Sequence, residues 1–245
     1  MRKIILWSYN QININIVLLP AMKSQFSEFK STKIQVVENC YTSDFENVKI
    51  DYSNKKKQIL YLSNLIYSKG ILFFMDFAEE LLKLKEGVIV KVAGAPMADS
   101  HMTTEEVFLE FKLKSDNLKK LYPNRFFYMG VVKGKQKEEL LKESSIFILP
   151  TFYKTEAFPL TIVEAMYFGN LIITTKHNYL GDVINQTNGS LVTTKSVNEL
   201  IDATLLYLDN HEELKKIMIS NHLEAKEKYN PKKFNDSINK IIQEA

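Results

Sequence analysis

The chain has a single cysteine, Cys40, which excludes an intramolecular disulfide and makes a reducing compartment the default. No apolar run is long enough to cross a bilayer: Ile12 to Pro20 is too short and is interrupted by Asn13 and Asn15. The start, Met1-Arg2-Lys3-Ile4-Ile5-Leu6-Trp7, has a basic tip, but its apolar part is too short for a signal peptide. A large excess of charge is also missing. The net charge of +3 is too small to argue for nucleic acid, and a pI of 8.6 permits contact with an anionic membrane surface without requiring it. His101, His177, His211 and His222 lack metal-ligand spacing, so no metal is expected. There is no convincing Asp-x-Asp pair; Asp44-x-Glu46 is the nearest and reads as a solvated loop. No internal repeat is visible, and the one charge run, Lys55-Lys56-Lys57, reads as a solvated linker.

What is present is an ordinary globular composition, 45% hydrophobic and 25% charged over 245 residues, enough for one large domain or two small ones. In residues 1–54, Ile12, Ile14 and Ile16 alternate with Asn13 and Asn15 ahead of Val17-Leu18-Leu19, which suggests a strand. Met22 to Phe29 reads as a short amphipathic helix, and Lys33 to Val37 as a second strand. So few elements cannot bury a core alone, so this segment is an appendage or a remnant of a larger domain. Asp51 to Gln58 is polar and reads as a linker. From Gln58 onward strands alternate with helices: strands near 59–62, 88–93, 126–130, 146–149, 171–174 and 190–192, and helices near 71–85, 104–122, 136–143, 159–168, 197–209, 211–229 and 231–243. The alternation predicts βαβ units, a parallel sheet and a doubly wound α/β fold.

The stretch from Ile146 to Met166 concentrates the chemistry. A buried strand stops at Pro150, a polar loop follows, and a helix runs from Pro159 until Gly169 closes it. Glu156 lies in the loop and Glu164 one to two turns into the helix. In an open parallel sheet, ligands bind in the crevice outside the carboxyl ends of the strands, where a helix start also favours an anion. The loops after the other strands carry Asn64 to Lys69, Gly94 and Gly130 along the same edge. A cation, glycines that permit close approach, and two carboxylates suit a nucleotide diphosphate bearing a hydroxyl-rich group. In this reading Lys69 neutralises phosphate, and the N–H groups near Phe158 assist. The competing structural readings place Glu164 on a solvent-facing helix side, Lys69 at a helix start, and Leu72, Phe73, Phe74 and Phe77 in the core.

The frame Glu156-x7-Glu164, with Phe158-Pro159-Leu160 between, resembles the signature of retaining GT-B glycosyltransferases of family 4. Ser63-Asn64-Leu65 to Ser68-Lys69-Gly70, Val92-Ala93-Gly94 and Phe127-Tyr128-Met129-Gly130 support the likeness, which spans roughly residues 58–243, the donor-binding half. Ile34 to Cys40 is similar to the end of that family's N-terminal domain. The resemblance implies one GT-B half, a Rossmann-like doubly wound parallel sheet over 55–245, with 1–54 a truncated remnant of the acceptor domain. It implies transfer of a hexose from a nucleotide-diphospho-sugar, a UDP-sugar favoured, to a glycan or lipid-linked acceptor in cell-surface polysaccharide synthesis. Glu164 would bond the ribose, Glu156 the donor sugar, and Lys69 the leaving diphosphate; Asn64, Gly130, Phe158, Pro159 and Leu160 would line the donor site. No cofactor beyond the donor and no nucleic acid is implied, and the location would be cytoplasmic with at most peripheral membrane contact.

The sequence also departs from that pattern. Asn64 stands where the family often has Arg, Ala157 where a glycine is common, and Asn178-Tyr179-Leu180-Gly181 replaces the usual Gly-Gly-hydrophobe-Pro turn before Asp182. The acceptor domain is nearly absent. Two further readings therefore stay open: a non-catalytic nucleotide-sugar-binding subunit that needs a separate acceptor-domain chain, and another GT-B-like enzyme such as a sugar-nucleotide epimerase.

Overall fold

The structure is a computed structural model that describes residues 7–9, 11–28, 33–41, 45 and 48–244. Asp44-x-Glu46, Phe29 and Met1 to Leu6 lie outside them. Near the N-terminus, β1 (Ile14–Val17) pairs in parallel with β2 (Lys33–Val36) as a two-stranded sheet. The expected helix between them is instead a 3-10 segment, Pro20–Phe26, that buries none of its residues. Without a buried face it lacks the packing that stabilises a short α-helix.

The larger sheet contains β3 (Lys56–Leu62), β4 (Ile89–Ala93), β5 (Phe126–Tyr128), β6 (Ser144–Leu149), β7 (Leu171–Thr175) and β8 (Gly189–Val192). All of its pairs are parallel, in the order β5-β4-β3-β6-β7-β8. The chain winds outward from β3 to one edge, returns, and winds outward from β6 to the other. Every residue of β6 and β7 is buried, as expected for parallel strands covered on both faces. The helices are α1 (Ile71–Leu84), α2 (Thr104–Leu121), α3 (Gly134–Glu143), α4 (Leu160–Tyr167), α5 (Val197–Leu208), α6 (His211–Lys228) and α7 (Pro231–Glu244). Packing pairs α1 with α2 and α5, and α4 with α6. Thr103 caps α2 in a reciprocal box with Glu106, which fixes the helix start at Thr104.

The polar stretch before β3 is not a solvated linker. β3 already begins at Lys56, and Gln58 is fully buried with its amide donating to Ser144 Oγ at 2.7 Å. Lys55 Nζ donates to Ser144 O at 2.5 Å, beside the C-terminal end of α3. That end carries negative dipole charge and unpaired carbonyls, which a lysine satisfies. Residues upstream also join the main core. Tyr41 stacks on Tyr167 with centroids 4.0 Å apart, Phe45 meets the edge of Phe168 at 4.9 Å, and Tyr167 Oη donates to Phe45 O at 2.5 Å. At the other end, α7 returns to β2, where Lys33 pairs with Glu244 at 2.9 Å.

Candidate functional site

The strand order places the switch point between β3 and β6, the two strands from which the chain winds in opposite directions. Connections diverge there and leave a crevice beyond the carboxyl ends. Lys69 ends the connection after β3, and Glu156 lies in the loop after β6. The fold brings them together across 87 residues: Lys69 Nζ is 2.5 Å from Glu156 Oε2, with the two side chains 16% and 7% exposed. Lys69 is thus not a solvated helix-start lysine.

The pair is held by its surroundings. Thr151 Oγ1 accepts from the Tyr153 N–H at 3.1 Å and donates to Glu156 Oε2 at 3.1 Å. Tyr153 offers its ring face to Lys69 at 5.0 Å. Beneath them Tyr61 is wholly buried and donates toward Asn64 O at 3.2 Å; burial and the Glu156 charge push its pKa up, so it stays a neutral donor. Asn178, with φ 45°, donates to Lys154 O and Glu156 O, each at 3.0 Å, and so ties down the Glu156 loop from outside. Asn tolerates this left-handed conformation better than most residues. The departure at Asn178 therefore has a structural use.

Glu164 is buried at 3% exposure, which overturns the solvent-facing reading. Lys137 Nζ on α3 lies 2.6 Å from its carboxylate and 5.7 Å from the Phe45 ring centroid. Beside this pair a cleft of about 290 Å³ is lined by Ser63, Asn64, Gly94, Val131, Lys137 and Thr161, among others. Asn64 is exposed on its rim. Gly130, at φ 64°, turns the chain after β5, and its carbonyl accepts from the Gly94 N–H at 2.8 Å.

The segment Phe158-Pro159-Leu160 behaves differently. The Phe158 ring is buried against Tyr229, 5.2 Å away, and its carbonyl accepts from Asn39 Nδ2 at 2.7 Å. Pro159 caps α4, and the Leu160 side chain is exposed. These residues thus form the entry to α4 rather than a wall of side chains. Phe74 and Phe77 are core as expected, whereas Leu72 and Phe73 are only half-buried.

Sequence reasoning missed Lys137, Asn39, Thr151 and Asp99. None carries a motif: Lys137 is one of several lysines on an amphipathic helix, and only its contact with Glu164 marks it. Asp99 links the β4 loop to the β3 loop, accepting from the N–H groups of Ser68 at 2.9 Å, His101 at 2.7 Å and Met102 at 3.0 Å. Burial works against its charge, but these bonds outweigh it and hold its carboxyl below the usual range. A depressed carboxyl contributes stability above its unfolded pKa of about 4 and loses it as the pH falls through the folded value. Asp99→Asn should therefore cost about 1 kcal/mol at pH 7, discounted for partial exposure, and the gap to wild type should close in acid. Thermal melts of both proteins from pH 7 to pH 3 check this; a gap independent of pH would refute it.

A parallel sheet wound in this order, with a crevice at its switch point, is a Rossmann-like doubly wound fold. The chain belongs to the glycosyl transferases group 1 family, whose profile matches residues 43–225. Among solved structures, Anabaena Alr3699/HepE in complex with UDP and glucose is similar with a TM-score of 0.79 and 16% identity, covering 99% of this chain and 66% of that one. A Rickettsia africae glycosyltransferase follows with a TM-score of 0.76, 21% identity and coverage of 98% and 66%. Staphylococcus aureus TarM has a TM-score of 0.73, 18% identity and coverage of 99% and 45%. The chain thus spans about half to two thirds of the length of these structures. No curated protein sequence matches it.

Proposed function

We propose that this chain binds the donor in a retaining transfer of a hexose from a nucleotide-diphospho-sugar, a UDP-sugar favoured, to a glycan or lipid-linked acceptor in cell-surface polysaccharide synthesis. The observation that carries this reading is the juxtaposition of the Lys69–Glu156 pair with the cleft beside Glu164. UDP is also present in the complexes of the similar Alr3699/HepE and of the pneumococcal O-GlcNAc transferase GtfA.

In this reading the nucleoside occupies the cleft at Asn64, Gly94 and Val131, and Glu164 accepts hydrogen bonds from the ribose hydroxyls. Lys137, 2.6 Å from its carboxylate, holds Glu164 in place for that task. The diphosphate lies toward Lys69 and the first N–H groups of α4, next to Phe158, Pro159 and Leu160. As the bond between the anomeric carbon and the diphosphate oxygen breaks, its electron pair leaves with the phosphate, and Lys69 stabilises that charge. Glu156 holds donor sugar hydroxyls and offsets positive charge developing on the ring. The acceptor hydroxyl forms the new bond on the same face, and its proton passes to the leaving phosphate. No cofactor or metal is needed for these steps.

Because Lys69 begins paired with Glu156, the diphosphate must draw it partly away. Donor binding then reorganises the pair rather than filling an empty cationic pocket. Among the described residues no helix is long and apolar enough to cross a membrane. A second reading, a binding subunit whose acceptor domain lies on another chain, draws on Ile12 and Ile16, 39% and 45% exposed beside the two-stranded sheet.

Titration with UDP, GDP and their sugar conjugates tests the donor site. UDP at about a hundred times its Kd should stabilise the fold by about 2.7 kcal/mol. Glu164→Ala should weaken UDP about tenfold or more, the loss of a charged hydrogen bond. A cooperatively folded sample that no nucleotide stabilises would refute the reading.

A further inference from the structure

A second cavity, of about 440 Å³, opens on the other flank of the Lys69–Glu156 pair. It is lined by Ser68, Asp99, His101 and the loop from Phe152 to Thr155, and Lys69 and Glu156 directly follow Ser68 and Thr155 along the chain. It shares no lining residue with the cleft beside Glu164.

Three features mark it as a built site. Its wall is aromatic: the half-buried Phe152 ring sits edge-on to Tyr67 at 5.5 Å, 5.9 Å from Phe73 and 6.0 Å from the His101 ring. Lys195 Nζ covers Phe152 at 4.5 Å. The backbone is fixed, because the Phe152 N–H donates to Ser68 O at 2.7 Å and Asp99 gathers the Ser68, His101 and Met102 N–H groups. Finally, the side chain of Ser68 is buried at the border of the cavity, next to the Asp99 carboxylate.

We infer that this cavity is a subsite for a neutral glycan chain, holding a sugar unit of the acceptor beside the transfer centre. This rests on the glycosyl-transfer reading above. A pyranose has an apolar C–H face and a rim of hydroxyls. The half-buried Phe152 ring suits the face, while Ser68 and the exposed imidazole of His101 suit the rim. The volume falls in the range of small-molecule pockets, which run from about 300 Å³ upward. Position supplies the rest: a unit seated between Ser68 and Thr155 places the next one over Glu156, where a hydroxyl must meet the anomeric carbon.

The test uses the full chain with cellotetraose, maltotetraose and tetra-N-acetylchitotetraose as probes, read by saturation-transfer NMR and calorimetric titration, with UDP stabilisation measured on the same samples. At least one tetrasaccharide should bind. Phe152→Ala should weaken it about tenfold, the scale of a lost aromatic contact, and leave UDP stabilisation unchanged. His101→Ala reads the same wall should Phe152→Ala fail to melt cooperatively. Binding of no tetrasaccharide to a sample that UDP stabilises overturns the subsite alone, as does undiminished binding by both variants. Phe152-dependent tetrasaccharide binding in a sample that neither UDP nor GDP stabilises overturns the donor reading, and with it the acceptor role of the cavity, while showing that the cavity binds glycan.

Discussion

Replacing Glu156 with alanine should lower the sugar-transfer rate by about 10²–10³-fold while leaving UDP affinity within roughly threefold of wild type. That loss corresponds to about 2.7–4 kcal/mol, the scale of one preorganised group aimed at developing charge. The argument rests on the burial of the pair: at 7% exposure Glu156 lies where water screens little, so its charge acts strongly on the donor sugar. Its removal also leaves Lys69 without its carboxylate, and breaking a buried pair is costly. Lys69 retains 16% exposure and the Tyr153 ring, which temper that cost and keep the fold intact. Glu156→Gln separates the two effects, since it keeps the shape and removes the charge. Rates of UDP release, with melting curves on the same samples, decide the matter. A loss below about tenfold in both variants would remove Glu156 from the reaction.

The second large effect is expected at a glycine, next to Lys69 in the chain. Gly70 joins the Lys69 turn to α1 at φ 81°, and a Cβ there would sit 2.1 Å from Pro150 O and 2.9 Å from Pro150 Cγ. Alanine would meet both left-handed strain, about 1–2 kcal/mol, and an overpacked contact with backbone, about 1–3 kcal/mol. Gly70→Ala should thus destabilise the chain by about 3–4 kcal/mol and lower Tm by roughly 10 °C. Gly87→Ala is the control, because φ is 73° there but a Cβ would meet nothing within 4 Å. It should cost only the strain. Equal shifts in the two variants would show that the approach of the Lys69 turn to the end of β6 is not tight. The contact matters for function because it sets the distance between the two loops that carry Lys69 and Glu156.

The amino-acid sequence by itself determined the class of the fold. Strands such as Ile146 to Leu149 and Leu171 to Thr174 read as continuous apolar runs because both of their faces are covered. The alternation with amphipathic helices then leaves little choice but a parallel, doubly wound sheet. It also determined that Lys69, Glu156 and Glu164 share one edge, since in such a sheet every loop after a strand emerges on the same side. The polar run before β3 misled because composition reports average solvation. The Gln58 amide nitrogen and Lys55 Nζ find acceptors at the end of α3, which no local pattern announces.

Only the tertiary structure decided the pairings: Lys69 with Glu156, Lys137 with Glu164, Asn39 with the Phe158 carbonyl, and Asn178 with the Glu156 loop. Each joins residues far apart along the chain or in separate loops. Which charge meets which is therefore set by strand order and by the burial that makes an unpaired charge costly, not by local sequence. The aromatic cluster around Phe152 arises in the same way, because Tyr67 and Phe73 follow β3, His101 follows β4 and Phe152 follows β6, and they meet only where these connections converge.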